Sequence, residues 1–291
     1  MQVGHSNKYI GSKSPSFGSL EEKKLITSLH HLQEELPQYN QKVIQGLINV
    51  SRGPEGGRME TLGLVKCVKN DRVFEVDGKT IKLSSELFAL DLEAEACNLP
   101  MITIPDHLEF IAEWDERTIA SGEGNNILGD NGGLYFEESS IQIPKVKATK
   151  ETLAYYGALL LPENAAIRFP SDEAYPLWKM HVGPNYVRDY IMSKDGGGGF
   201  YLEFHHDQPH FHMVVDGGGY YLLAKQIRDK IFHITAFELS NGQAIYTKKG
   251  AIHCDAALTG DLVVGYTASN DCSTVLLRTK IGNEMLKIEF V

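Results

Sequence analysis

Six of the 11 histidines of this 291-residue chain lie between positions 205 and 253. An even spread along the chain would place far fewer in that window. Imidazole is the commonest protein ligand of transition metals, and it also exchanges protons near neutral pH. The type and spacing of these residues therefore indicate either a metal site or acid–base chemistry in this part of the chain.

The segment PHFHMVVD (residues 209–216) holds the densest part of this cluster. In a β-strand alternate side chains share a face, so His210 and His212 would point the same way and Asp216 would continue the alternation. A later strand would supply His253 as a third imidazole. Such nitrogen and oxygen ligands with open positions suit a divalent ion, with Fe(II) first and Mn(II), Ni(II) or Zn(II) as alternatives. The predicted metal ligands are therefore His210, His212, His253 and Asp216.

Two further side chains are candidates for catalysis. His206 shares strand parity with His210, which makes it a candidate acid or base beside the metal. Tyr246 belongs to a group of aromatic residues that would line a barrel cavity. Both also have ordinary structural explanations, because a histidine ahead of a strand often faces solvent and a tyrosine in a β-barrel is more often core. The predicted catalytic residues are His206 and Tyr246.

The elements that must position these residues are predicted to be β-strands. From about residue 150 short apolar runs alternate with Gly, Pro, Asn and Asp turns, a pattern typical of a sandwich or barrel. One of the predicted strands covers Tyr186–Ser193. Upstream, residues 1–19 form a polar arm rich in Ser and Gly, and residues 20–150 mix helical and strand periodicity. The chain is thus predicted to be α+β, with a flexible arm (1–19), a mixed helix and strand region (20–150) and a β-barrel (151–291).

The histidine segment resembles the cupin family. Cupins combine an H-x-H motif followed by an acidic residue with a later G-x5-P-x-G-x2-H-x3-N motif. His210 and His212 match the first motif, and the spacing from Gly242 to Gly250 to His253 matches the second. The resemblance covers about residues 160–280. It implies an antiparallel double-stranded β-helix, a cupin-like jelly-roll barrel with the site inside its mouth.

The chain departs from the cupin pattern at three positions. Lys248 replaces the usual Pro, Ala257 replaces the usual Asn, and Asp216 stands where Glu is usual. Because the Asp side chain is shorter, the resemblance supports the three histidines better than the carboxylate. Cupins include dioxygenases, isomerases, epimerases and metal-free binding proteins, so the resemblance implies no single activity.

A second ligand set overlaps the first. His205, Asp207 and His253 resemble the H-x-D…H triad of the iron/2-oxoglutarate oxygenases, which also use a double-stranded β-helix. Two histidines and a carboxylate leave three positions for cosubstrate and oxygen. Such enzymes usually hold the 2-oxoglutarate carboxylate with a basic residue, and Lys225 and Arg278 do not lie at a persuasive spacing. This triad stays as the alternative ligand set.

The composition argues against several partners and locations. The chain has 28 basic and 38 acidic residues, a net charge of −10, and no dense Lys/Arg block, so nucleic acid and anionic lipid are not expected partners. No apolar run is long enough to span a membrane, no secretory signal is visible, and the four cysteines form no CxxC pair. A cytoplasmic location with reduced thiols is expected. The cupin resemblance alone implies a homodimer.

These observations favour a metal-dependent enzyme that acts on a small oxygen-bearing organic substrate. The first expectation is a dioxygenase-type oxidoreductase, in which the metal polarises the substrate or activates oxygen beside it. A sugar isomerase or epimerase comes second. The alternative from another class is a non-catalytic barrel that binds a ligand, with the N-terminal region contacting a protein partner. A bound redox-active metal would favour the enzyme over the binding module.

Overall fold

The computed structural model describes residues 59–68, 73–76, 79–82, 102–117, 132–161, 175–206, 209–265 and 272–291. At 59–68, 73–76, 79–82 and 175–179 it describes the backbone alone. The arm expected at 1–19 and Asp207 of the alternative triad lie outside the described residues.

Most of the described residues lie in β-strands, and 13 strands form one curled sheet with the shape of a half-barrel. Two further pairs, β2 with β3 and β7 with β17, stand outside that sheet. The strands are β1 (Met59–Val68), β2 (Val73–Val76), β3 (Lys79–Lys82), β4 (Leu108–Ile111), β5 (Glu113–Asp115), β6 (Gly132–Phe136), β7 (Ser140–Ile143), β8 (Lys145–Lys147), β9 (Ala158–Leu161), β10 (Tyr175–Val182), β11 (Tyr201–His205), β12 (His210–Arg228), β13 (Ile231–Ser240), β14 (Ala244–Thr247), β15 (Ile252–Gly265), β16 (Cys272–Thr279) and β17 (Lys287–Phe290).

The long strands β12 and β15 form the centre of the sheet and pair antiparallel over most of their length. Strand β11 flanks the start of β15, and β16 flanks β11. These strands are rich in Val, Leu, Tyr and Phe, the residue types that pack best on a pleated surface. In β13 and β16 most positions are buried, so both faces of these strands are covered.

Three consecutive glycines let β12 bend at its middle. Gly217, Gly218 and Gly219 have φ values of 123°, 148° and 139°, a region that L side chains rarely adopt. A Cβ at Gly217 would lie 2.3 Å from the carbonyl oxygen of Thr259, and one at Gly219 would lie 2.2 Å from that of Ala257. Glycine is therefore needed for the backbone direction and for the close approach of β15. Before these glycines β12 pairs with β14 and β15, and after them it pairs with β13 and β15.

Strands from both sides of residue 150 belong to the large sheet. β4 and β8 pair with β13, and β6 pairs with β16 and β5. The described strand pairs within residues 151–291 are antiparallel, as expected for that region, whereas β6 and β8 join from upstream in parallel. The mainly β character is confirmed; the jelly-roll topology and the division at residue 150 stay predictions.

A short helix precedes β9 and packs two tyrosines against the sheet. This helix, α1 (Lys150–Tyr155), begins after Thr149, whose side chain caps it. At its end Tyr155 Oη lies 2.8 Å from His233 Nδ1, and Tyr156 Oη lies 2.7 Å from Thr235 Oγ1. These contacts fix the helix to β13, because both partners lie on that strand.

The strand predicted over Tyr186–Ser193 is wrong, since the structure has a π-helix at Val187–Ile191. The backbone N–H of Met192 donates to the carbonyl of Val187 at 2.8 Å, a five-residue step. Tyr186, Tyr190 and Ile191 are buried. Their spacing of four and five residues places them on one helical face, which the two-residue alternation of a strand would not do.

Candidate metal centre

Three neighbouring strands each present two polar side chains at alternate positions, on one face of the strand. All but Asp255 are buried, and the curl of the sheet brings the three pairs together. The pairs are Glu203 and His205 on β11, His210 and His212 on β12, and His253 and Asp255 on β15.

Glu203, His205 and His253 form the tightest group. Glu203 and His253 are register partners across β11 and β15, and Glu203 Oε1 lies 3.5 Å from His253 Nε2. One ligand atom from each of the three residues lies within 4.8 Å of the other two. Atoms bonded to one ion at 2.0–2.2 Å lie at most about 4.4 Å apart, so small side-chain rotations bring all three to bonding distance.

The ring of His253 is held in the tautomer that a metal ligand needs. Its Nδ1 lies 3.0 Å from the carbonyl oxygen of Ala251. Because a carbonyl oxygen only accepts, Nδ1 carries the hydrogen, and in the neutral ring Nε2 then presents a lone pair toward Glu203. Burial lowers the pKa of His253, but the hydrogen bond and charge of Glu203 outweigh burial and raise it above its ordinary value. The negative charge of Glu203 therefore favours a positive charge at Nε2 of His253, either a proton or a metal ion.

The carboxylate of Glu203 stays ionised although it is buried. Burial raises its pKa, but the hydrogen bond and charge of His253, together with the charge of His205, outweigh burial and bring the pKa below its ordinary value. Thr274 Oγ1 donates a hydrogen bond of 3.3 Å to Oε2. Glu203 thus supplies a fixed negative charge beside two imidazoles.

His210 lies next to this group. Its Nδ1 is 2.8 Å from His253 Nε2, a hydrogen-bonding distance at which either ring nitrogen can donate, depending on the tautomers of the two rings. Burial, followed by the charges of His212 and His253, lowers the pKa of His210 well below its ordinary value. His210 is therefore neutral, the form in which imidazole binds metal ions.

His212 is oriented by a second carboxylate, that of the partly buried Asp255. Its Nε2 lies 2.7 Å from Asp255 Oδ2, and the hydroxyl of Tyr201 donates to the other oxygen of Asp255. Burial raises the pKa of Asp255, but the charge and hydrogen bond of His212 outweigh it and lower the pKa well below its ordinary range. Asp255 accepts from Nε2, so in the neutral ring Nδ1 of His212 carries the lone pair, and this buried atom has no hydrogen-bond partner among the described residues.

These residues fit a divalent transition-metal ion. The rings of His253 and His212 each donate one N–H to an oxygen acceptor, an arrangement typical of metal-ligating histidines. Nδ1 of His212 is buried and has no protein partner among the described residues. In the neutral ring this atom is therefore available to bind a metal ion or another ligand. The carboxylates of Glu203 and Asp255 would balance the charge of the ion.

Of the predicted metal ligands, the structure brings His210, His212 and His253 together and places Asp216 elsewhere. Asp216 is exposed, and Asn241 Nδ2 donates to its carboxylate at 3.5 Å. A register shift just before Asp216 in the pairing of β12 with β15 breaks the alternation on which that prediction relied.

The predicted catalytic residue His206 directly follows β11, just after His205. It is exposed and meets the ring of Phe204 edge-on, with ring centroids 4.7 Å apart. The structure therefore places His206 apart from the buried imidazoles.

The other predicted catalytic residue, Tyr246, is buried and is the register partner of Phe211. Because Phe211 lies between His210 and His212 on β12, Tyr246 shares the face opposite those histidines. Burial raises its pKa far above the ordinary value. The structure does not bring Tyr246 to the group.

Glu203 and Asp255 were missing from the predicted ligand set, although the sequence carried a signal for each. Glu203-x-His205 and His253-x-Asp255 have the same two-residue alternation as His210-x-His212. The alternative triad shared His205 and His253, and these two do come together.

No protein-family model matches the chain, and no curated protein matches it. None of the helices in the described part of the chain is long and apolar enough to cross a membrane.

Proposed function

We propose that the chain is a metal-dependent enzyme of the cupin type, a dioxygenase-like oxidoreductase that acts on a small oxygen-bearing organic substrate. The observation that supports this most is the buried convergence of Glu203, His205 and His253. Two imidazoles and one carboxylate with open positions are the ligand set of non-haem Fe(II) oxygenases. Fe(II) is therefore the proposed metal, ahead of Mn(II), Ni(II) and Zn(II).

The proposed roles follow from the contacts of each side chain. Glu203, His205 and His253 hold the ion, with His210 as a fourth candidate ligand. A bound ferrous ion supplies redox chemistry with molecular oxygen and Lewis acidity toward the substrate. The carbonyl of Ala251 keeps His253 in its ligating tautomer.

His212 has a different proposed role, because its orienting partner leaves one ring nitrogen for a ligand. Asp255 accepts from Nε2, and Nδ1 keeps its lone pair inside the protein. This lone pair would accept a hydrogen bond from a hydroxyl of the substrate and so fix its orientation beside the ion. The cupin-like jelly roll is the proposed completion of the half-barrel that surrounds these residues.

The test is the metal content of the purified, untagged protein, measured by elemental mass spectrometry after growth in metal-supplemented medium. The variants are Glu203→Gln and His253→Ala, which each remove one proposed ligand. Asp216→Asn is the matched control, because that carboxylate is exposed and accepts from Asn241. Circular dichroism checks that every variant is folded.

We expect near-stoichiometric iron in the wild type and in Asp216→Asn, and a loss of iron in the two ligand variants. Electron paramagnetic resonance of the ferrous protein with nitric oxide, as a stand-in for O2, then checks that the iron has open positions. Zinc in place of iron would move the proposal from oxygen chemistry to an isomerase or epimerase. Absence of any metal after anaerobic reconstitution would overturn the metalloenzyme and leave the binding module.

A further inference from the structure

A cleft of about 560 Å³ lies beside the buried histidines but is lined by other residues. Strand β11 contributes Phe204, which lies between Glu203 and His205 and so on the other face of the strand, and His206 follows directly after β11. The turn between β14 and β15, the far end of β12 and the end of α1 complete the lining. Its volume falls in the range of small-molecule sites, about 300–1,000 Å³.

The charge of this cleft is opposite to that of the chain. Lys225, Lys248 and Lys249 line it together with His206, and no Asp or Glu is among its described lining residues. The whole chain, in contrast, has a net charge of −10. Three ammonium groups around one concavity attract an anion, because the low-dielectric walls concentrate their field.

The Lys225 side chain is held by a carbonyl and an aromatic ring, and the turn that carries Lys248 is held by backbone hydrogen bonds. Lys225 Nζ donates to the carbonyl of Tyr155 at 3.2 Å and lies 4.6 Å from the centroid of the Tyr155 ring. The N–H of Lys248 donates to the carbonyl of Gly157 at 3.1 Å, and that of Gly250 donates to the carbonyl of His205 at 2.6 Å. These bonds fix the turn that carries Lys248, so part of the ordering cost of an anion site is already met.

Aromatic residues also line the cleft. Tyr155, Tyr156 and Phe204 line it, and the ring of Tyr156 is itself buried. A ligand that combines an anionic group with a planar apolar body would use both kinds of lining, because the lysines bind its charge and the rings pack against its body.

We propose that this cleft is a second binding site, independent of the metal centre, for a small organic anion with a phosphate or carboxylate group on a planar apolar body. The lysines of the turn, Lys248 and Lys249, bind the anionic group, and Lys225 binds it from the β12 side. Phosphate esters and carboxylates share this chemistry, and the experiment below distinguishes them.

The test is isothermal titration calorimetry of the full chain with phenyl phosphate, benzoate and inorganic phosphate. We expect saturable binding of phenyl phosphate or benzoate at one site, weaker binding of inorganic phosphate, and the same Kd before and after chelator treatment. The Lys248→Gln/Lys249→Gln double variant should raise the Kd at least about tenfold, since it removes two charge-assisted contacts. Lys287→Gln is the matched control, because Lys287 is exposed on β17 and does not line the cleft.

Whichever of phenyl phosphate and benzoate binds more tightly identifies the anionic group. The proposal fails if neither binds saturably, if the double variant keeps the wild-type Kd, or if Lys287→Gln weakens binding as much as the double variant. Binding that disappears with the metal would also overturn it, because the anion would then be a ligand of the metal centre. None of these outcomes depends on whether the metal is iron.

Discussion

The two faces of strand β11 differ in how they treat charge, although alternate residues of one short segment build both. On one face Glu203 and His205 are buried, and Glu203 contacts both His253 and Thr274. On the other face Phe204 is half-buried, and His206, which follows the strand, is exposed. The described lining of the cleft beside them holds three lysines and no carboxylate.

This difference determines which kind of ligand each face can accept. A buried charge is costly unless it is paired and hydrogen-bonded, so the interior face carries its own counter-charges and can admit only a partner that fits among them, such as a metal ion. The open face keeps its lysines hydrated, so it can leave positive charge for an exchangeable anion. One strand would thus separate the proposed cation site from the proposed anion site.

The largest expected difference between the faces is in thermal stability. An ion that binds only the folded chain stabilises it by about 2.7 kcal/mol at 100 times its Kd. A chelator should therefore lower the Tm of the wild type and leave the Tm of His253→Ala unchanged. Differential scanning calorimetry measures both, with Lys248→Gln/Lys249→Gln as the control that should behave as the wild type. An equal response of His253→Ala to the chelator would contradict a metal at this face.

A smaller effect is expected from Asp255→Asn, which keeps the shape of the side chain but removes the charge that orients His212. Asp255 does not orient one of the proposed ligands, but its charge also acts on His253, so its loss should lower the metal affinity by about tenfold, the low end of the range for groups behind the ligands. Competition with a fluorescent chelator measures the metal Kd. Anion binding in the cleft is the internal control, since Asp255 does not line it. An unchanged metal Kd would show that the contact between Asp255 and His212 plays no part in metal binding.

The smallest effect is expected from His206→Ala on the open face. We expect less than a twofold change in metal Kd and a free energy of unfolding within about 0.5 kcal/mol of the wild type, as for exposed positions in general. The same chelator competition and a urea titration measure these quantities. A clear loss of metal would mean that the two faces are coupled and would restore His206 as part of the buried site.

The common face of His210 and His212 could be predicted from sequence because strand alternation is a local property, whereas His253 was added from a distant strand and from the resemblance to the second cupin motif. The same alternation held for Glu203 and Asp255, so these residues were within reach of the same argument. It failed at Asp216, where the register shift in the pairing with β15 intervenes. A register shift depends on the partner strand, and a single strand's sequence does not specify it.

For the fold, too, local features could be predicted from sequence, whereas pairings between distant segments could not. The β-rich composition and the turn residues predicted a mainly β chain, which the described residues confirm. The parallel addition of β6 and β8 to the sheet could not be predicted, because each pairing joins segments far apart in sequence. The π-helix at Val187–Ile191 was missed because its apolar residues also suit a strand.

The register of Glu203 with His253 has a consequence for how the protein would acquire its metal. The two residues come from strands that are distant in the chain, and a slip of one residue between β11 and β15 would turn one of them to the opposite face. No local segment of the nascent chain would hold the complete ligand set. Metal binding would therefore come late in folding. Chains with a misaligned sheet would remain without metal, so the absence of the metal would distinguish them from correctly folded chains.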